Sequence, residues 1–368
     1  MNFTFSEEQE ELRRTIRRFL DDKSPSTEVR RLMETPEGYD EAVWKQMAQE
    51  LGLQALEIPE EYGGQGFSFV ELGIVLEEMG RALLCAPFFS TVAVAANAIL
   101  NAGTEEQKKA LLPGIASGET IATLALGEPD RGWTAEDITL EAKDGVLNGV
   151  KTYVIDGATA NLIVVAAREP GGGISLYTVR GDAEGLSRST LEALDLTRKL
   201  AKLEFSNVEG ELLGEKGNAW PALQRTLDHA AVALAAEMCG GAQRCLDMAV
   251  QYAKDRVQFG RPIGSFQAIK HKCADMLLEV ESAKTATYYA LWVAAADDPE
   301  LPVAAPMAKA YAADAFFKAA RDNIQVHGGI GFTWEHDAHL YYRRAKSDEL
   351  MFGDAPYHRE LLAQRLGI

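Results

Sequence analysis

Between Thr120 and Gly214 the chain abandons helical periodicity. Short β-rich runs replace it at Ile121–Leu126, Leu147–Ile155, Leu162–Ala167, Ile174–Val179 and Leu200–Phe205, separated by glycine and polar turns. On either side the apolar residues recur at helical spacing. Ser6-Glu7-Glu8-Gln9 is a capping box, and the helix that it opens sets Leu12, Ile16, Phe19 and Leu20 on one face. Helical patterns follow at Tyr39–Leu51, Phe69–Leu84, Ser90–Ala102 and Thr104–Ser117. After the β-rich block come Ala219–Asp255, Phe266–Ala295, Pro302–Gln325 and Ala355–Leu366. The order helices, strands, helices predicts an α+β fold. Its parts are an N-terminal helical domain (1–118), a middle β-domain (119–218) and a C-terminal four-helix-bundle domain (219–368).

A chain of 368 residues, 47% apolar and 25% charged, can bury a large core and reads as globular. The formal net charge of −18 argues against nucleic acid and anionic membrane surfaces as partners. It leaves an anionic coenzyme open, since that needs only a local basic pocket. Cys85, Cys239, Cys245 and Cys273 show no metal-ligand spacing and read as buried thiols, as expected of a cytoplasmic protein. No signal peptide and no membrane span is visible, and no metal site is expected.

Two stretches carry chemistry. Asp255-Arg-Val-Gln-Phe-Gly-Arg-Pro-Ile-Gly-Ser-Phe-Gln267 places Arg256, Phe259 and Gln267 around a break between helical runs. A fixed cation, an aromatic face and an amide suit a ligand with phosphates and a flat ring. In Gln325-Val-His-Gly-Gly-Ile-Gly-Phe-Thr-Trp-Glu335, Gly328, Gly329 and Gly331 let backbone approach a bound group closely. A third stretch, Pro59-Glu-Glu-Tyr-Gly-Gly-Gln-Gly66, reads as a packed turn. Together these stretches resemble the acyl-CoA dehydrogenase family nearly end to end.

The resemblance implies bound flavin adenine dinucleotide (FAD) and, usually, a tetramer with the flavin reaching across a subunit interface. Arg256, Gln258, Phe259, Phe266 and Gln267 fall on the family's first flavin segment. Gln325, Val326, His327, Gly328 and Gly329 fall on the second. In the β-domain, Leu124, Leu126, Gly127, Trp133, Tyr153 and Ile155 occupy further flavin positions. Glu128, Pro129 and Gly132 match the family pattern there, whereas Gly127 replaces a Thr, Trp133 a Ser and Ile155 a Thr. Trp133 and Asp228 are the implied substrate contacts, and Ala231 replaces an Arg that meets the coenzyme in many members. The implied partners are an acyl-CoA thioester and an electron-transferring flavoprotein or similar acceptor, in a homotetramer or a mixed oligomer.

The family's α,β-desaturation needs a general base at the α-carbon. Its usual glutamate aligns with Gly353 and the less common one with Ala230, so neither is present. Asp354 is the nearest carboxylate and the candidate base. Asp354-Ala355-Pro356 also reads as a helix cap, and both readings stay open. His358 and Glu360 are expected inside the following helix as core or solvated positions. Three functions fit: a flavin-dependent acyl-CoA desaturase with a bulky acyl group, a non-catalytic flavin-carrying partner subunit, or a flavin monooxygenase or oxidase on the same scaffold.

Overall fold

A computed structural model describes Phe5–Ile368. The helices are α1 Glu7–Lys23, α2 Ser26–Met33, α3 Glu41–Gln49, α4 Phe69–Ala82, α5 Asn97–Ala102 and α6 Glu105–Ala116, then α7 Trp220–Asp255, α8 Gln267–Ala295, α9 Leu301–His327, α10 Ala338–Leu350 and α11 Ala355–Leu366. The strands are β1 Ala122–Ala125, β2 Glu141–Lys143, β3 Val146–Ile155, β4 Leu162–Arg168, β5 Ile174–Arg180, β6 Leu186–Thr190, β7 Leu200–Glu209 and β8 Glu211–Leu213, with a hairpin of β9 Val257–Gln258 and β10 Arg261–Pro262. Two compact units result. One gathers the chain up to Arg30, Phe69–Leu84 and Ala231–Ile368; the other gathers Arg31–Ser68 and Cys85–Ala230.

In the first unit the capping box of α1 forms as expected: Ser6 Oγ accepts the Gln9 N–H and the Gln9 side chain accepts the Ser6 N–H. Small residues decide how α4 meets α7. A Cβ on Gly80 would sit 2.0 Å from the Glu237 carbonyl oxygen, and one on Gly240 would sit 1.7 Å from that of Glu77. Only glycine permits so close an approach. Ala231, Ala233, Ala235 and Ala236 are buried beside them, so this run serves helix packing. Farther out, α9 packs against α8, α10 and α11.

The sequence pattern contains no sign of α2 or α10. In α10 the buried side includes His339, Arg344 and Asp348 beside Ala338, Leu340, Tyr341 and Ala345. Arg344 is buried because its Nη1 lies 2.5 Å from Glu237 Oε1 on α7. Buried polar residues interrupt the apolar period that would mark the helix.

The second unit holds an eight-stranded sheet in the order β6-β7-β3-β2-β4-β5-β8, with β1 parallel to β4. β4 is buried through Ile163–Ala167 and covered on both faces, which its continuous apolar run requires. β6 is an edge strand paired only with β7 and almost wholly exposed, so it lacks the alternation that reveals a strand. The expected helix at Ser90–Ala102 begins instead as a π-helix, Phe89–Ala96, before α5. Thr91 in that π-helix binds the edge of β1, donating to the Ala122 carbonyl at 3.0 Å and accepting its N–H at 3.1 Å. The Pro59–Gly66 stretch is a packed turn as read: a Cβ on Gly64 would sit 1.7 Å from the Ile58 oxygen.

Candidate functional site

In the first unit, α7 ends at Asp255 and the chain turns through the β9–β10 hairpin. Phe259 and Gly260 form its two-residue loop with φ of +53° and +78°. A tight turn of this kind needs both residues left-handed, which suits Gly260 and strains Phe259. Phe259 is nevertheless 93% exposed, an aromatic ring held out from the fold. Its ring stands edge-on to Phe266 at 6.1 Å, and the Arg261 guanidinium lies 4.2 Å from the Phe266 centroid. Arg256, Gln258 and Gln267 are exposed with it. Among the described residues Arg256 pairs with no carboxylate, which leaves its fork free for a phosphate.

The second glycine stretch caps α9. Gly328 takes φ +63°, and a Cβ on Gly328 or Gly329 would meet no atom within 4 Å. Their backbone faces open space, as a cradle for a ligand must. Val326 is buried below it and Gln325 is exposed. His327 fixes the end of the helix: its Nδ1 lies 2.9 Å from the Asn323 oxygen, and its ring stacks on Tyr252 of α7 at 4.3 Å. That stacking ties the glycine turn to the helix that carries the hairpin. Burial holds the His327 imidazole below its ordinary pKa, so the ring is neutral at pH 7.

In the second unit, Leu124, Leu126, Gly127, Trp133, Tyr153 and Ile155 converge on the ends of β1 and β3. The Thr152 N–H donates to the Gly127 oxygen at 2.8 Å, and Thr123 Oγ1 donates to the Ile155 oxygen at 2.6 Å. A Cβ on Gly127 would lie 3.6 Å from the Trp133 ring. That is ordinary contact; what favours glycine at 127 is the Thr152 carbonyl oxygen, 2.9 Å from where the Cβ would sit. Tyr153 is 59% exposed at φ +56°, a second aromatic presented outward from a strained backbone. Leu124, Leu126 and Ile155 are buried.

Sequence reasoning gave Glu128 no role, and the structure supplies one. Its Oε1 accepts Lys151 Nζ at 2.6 Å and the Leu140 N–H at 2.9 Å, with Thr139 on both carboxylate oxygens. Lys151 also donates to the Leu126 oxygen at 3.1 Å. Glu128 and Lys151 are 5% and 0% exposed, so this pair is the internal bolt of the loop that carries Trp133.

Asp354 caps α11, accepting the Tyr357 N–H at 2.9 Å through Oδ1. Its Oδ2 makes no hydrogen bond among the described residues. Gly353, where the family alignment expects a glutamate, has φ +105°, and a Cβ there would fall 2.2 Å from the Tyr357 ring. The site is built for glycine. Gly353→Ala should cost roughly 1–3 kcal/mol, seen as a lower Tm in thermal denaturation. His358 is core and Glu360 is exposed. Asp228 on α7 is 5% exposed.

Residues 6–119 match the acyl-CoA dehydrogenase N-terminal domain and residues 217–367 its C-terminal domain. The acyl-CoA dehydrogenase IpdE2 of Mycobacterium tuberculosis is 36% identical over 339 residues, 92% of this chain and 91% of that protein. The chain belongs to the acyl-CoA dehydrogenase family. Among solved structures it is similar to a variant of the Tcur3481-Tcur3483 steroid ACAD, with 31% identity, TM-score 0.88 and 98% of each chain covered. It is also similar to the ChsE4-ChsE5 complex from Mycobacterium tuberculosis, with 26% identity, TM-score 0.90 and coverage of 100% of this chain and 99% of that one.

As a member of this family the chain is an FAD-dependent oxidoreductase. Residues of the first unit fit that cofactor: an unpaired Arg256, an outward aromatic at Phe259 and an open glycine backbone at 328–329. Among the described residues no helix is long and apolar enough to cross a membrane. Arg256→Ala should weaken flavin retention by about 1.5–3 kcal/mol, the worth of a charged hydrogen bond. Flavin content after gel filtration, measured by absorbance, checks this.

Proposed function

We propose that this acyl-CoA dehydrogenase family member desaturates the α,β-bond of an acyl-CoA thioester with a bulky acyl group, using Asp354 as the base. The observation that carries this reading is the state of Asp354. One carboxylate oxygen serves the helix cap while Oδ2 remains available for a proton, on a half-buried turn at the start of α11. Bound FAD supplies the acceptor for the two electrons and the hydrogen that leave the β-carbon. Asp354 takes the α-proton onto Oδ2, and Tyr357 N–H on Oδ1 keeps the carboxylate oriented while it does so. Asp228 and Trp133 are proposed to contact the coenzyme and its acyl group.

The bulky substrate is supported by the likeness to the steroid ACAD. The alanines of α7 give it no support, since they are buried in helix packing. The test is anaerobic mixing of the yellow protein with a panel of acyl-CoA thioesters, from short linear chains to steroid side chains. Bleaching of the flavin by the bulky thioesters is expected; bleaching by none would sink this reading.

A second reading has its own support. One structural neighbour is a complex of two named chains, ChsE4 and ChsE5. In this reading the chain carries flavin in a mixed oligomer and a related chain supplies a glutamate. Co-expression with a glutamate-bearing relative and light scattering decide between the two: a flavin-loaded homo-oligomer active alone excludes the mixed assembly. An electron-transferring flavoprotein is the proposed acceptor in either case.

A further inference from the structure

Beneath the turn that presents Asp354 lies a buried cation with no assigned function. Lys309, on α9, is 0% exposed. Its Nζ donates to the Glu349 and Gly353 carbonyl oxygens, both at 3.1 Å. Glu349 lies in the last turn of α10, whose carbonyls have no partners within the helix and carry the negative end of its dipole. Gly353 is the residue just before the Asp354 cap. One ammonium therefore joins the end of α10 to the start of α11.

The surrounding charges favour that ammonium. Asp348 and Glu349 on α10, with Asp354 itself, stabilise the charged form against the cost of burial. Burial still outweighs them and brings Lys309 down to about 8. From α11 comes His358, 4% exposed, with neither ring nitrogen in a hydrogen bond of standard geometry. Burial, and then the Lys309 charge, push its imidazole down to about 3. At neutral pH, Lys309 is charged and His358 is not.

We propose that Lys309 is a positioning residue for Asp354: by gripping the carbonyls of Glu349 and Gly353 it fixes the turn Met351–Asp354 and aims the carboxylate. This rests on the reading of Asp354 as the base. Phe352 and Gly353 both adopt positive φ within that turn, so an outside clamp is needed to hold it in one orientation. A displacement of about 1 Å at a catalytic group can cost a hundredfold in rate.

The test compares wild type with Lys309→Met and Asp348→Asn in the flavin-loaded oligomer, following anaerobic flavin reduction from pH 6 to 10. Lys309→Met should keep its flavin and reduce it about ten- to a hundredfold more slowly. The wild-type rate should fall as pH rises through about 8, and the variant should lack that limb. Asp348→Asn, which removes a carboxylate favouring the ammonium, should move the limb to lower pH. Stability should move the opposite way. Between about 8 and lysine's ordinary 10.5 the folded chain has lost the Lys309 proton and the unfolded chain keeps it, so stability relative to Lys309→Met rises with pH there. A purely structural lysine would not make rate and stability diverge.

A wild-type profile with no alkaline limb, or a limb that Asp348→Asn leaves in place, overturns the proposal even if Lys309→Met does not fold. If Asp354→Asn is inactive while Lys309→Met matches wild type in rate and profile, the base stands and the positioning role falls. If Asp354→Asn keeps the full rate, the base reading fails and takes this proposal with it.

Discussion

Asp354→Asn is expected to stop flavin reduction by a good acyl-CoA while leaving the protein yellow, folded and assembled. Asn caps helices about as well as Asp, so the bond from the Tyr357 N–H survives the change. The amide cannot take up a proton at ordinary pH, and loss of a general base typically slows a reaction by about 10²–10⁴. Asp354→Ala loses the cap as well and should cost about 1 kcal/mol of stability in addition. Stopped-flow reduction of the flavin, with urea unfolding of both variants, separates the two roles. Reduction of the Asn variant at the wild-type rate would leave Asp354 as a cap and move the base to another chain.

The second large effect is expected at Lys151. Lys151→Met should destabilise the protein by about 3–5 kcal/mol, because it leaves the Glu128 carboxylate buried without its cation. Burial pushes the Glu128 carboxyl up, but the Lys151 charge together with the Thr139 and Leu140 donors holds it below the ordinary 4.5. The lowered Glu128 carboxyl thus contributes stability that is fully present above about 4.5 and is lost as pH falls below it, while burial brings Lys151 down to about 8, so the charged pair persists only up to that pH. Urea unfolding at several pH values should show an acid limb in wild type that flattens in Lys151→Met. Flavin retention should fall too, since this pair anchors the loop bearing Trp133. Unchanged stability at pH 7 would show that the pair contributes nothing net.

The order of helices, strands and helices, the helix break at 255–267, the glycine turn at 325–335 and the cap at Asp354 were all legible in the residues. Each rests on a local signal: an apolar period, a glycine where backbone must turn or open, or an acidic residue before a helix. The cap geometry at Asp354 and the open backbone at Gly328 and Gly329 agree with what those signals implied. Helix α10 and the edge strand β6 were not legible, because one buries polar residues among apolar ones and the other buries almost nothing.

Only the tertiary structure could decide what the buried ions do. Glu128 and Lys151 lie 23 positions apart, and Lys309 and Gly353 lie 44 apart, so no spacing rule links either pair. The same holds for the approach of Gly127 to the Thr152 carbonyl and for the crossing of α4 and α7 at Gly80 and Gly240. The sequence alone determined most of the elements that form, because propensity and periodicity act within a few residues. The clamp on Gly353 and the bolt beneath the Trp133 loop came from packing, which sets partners by distance in space.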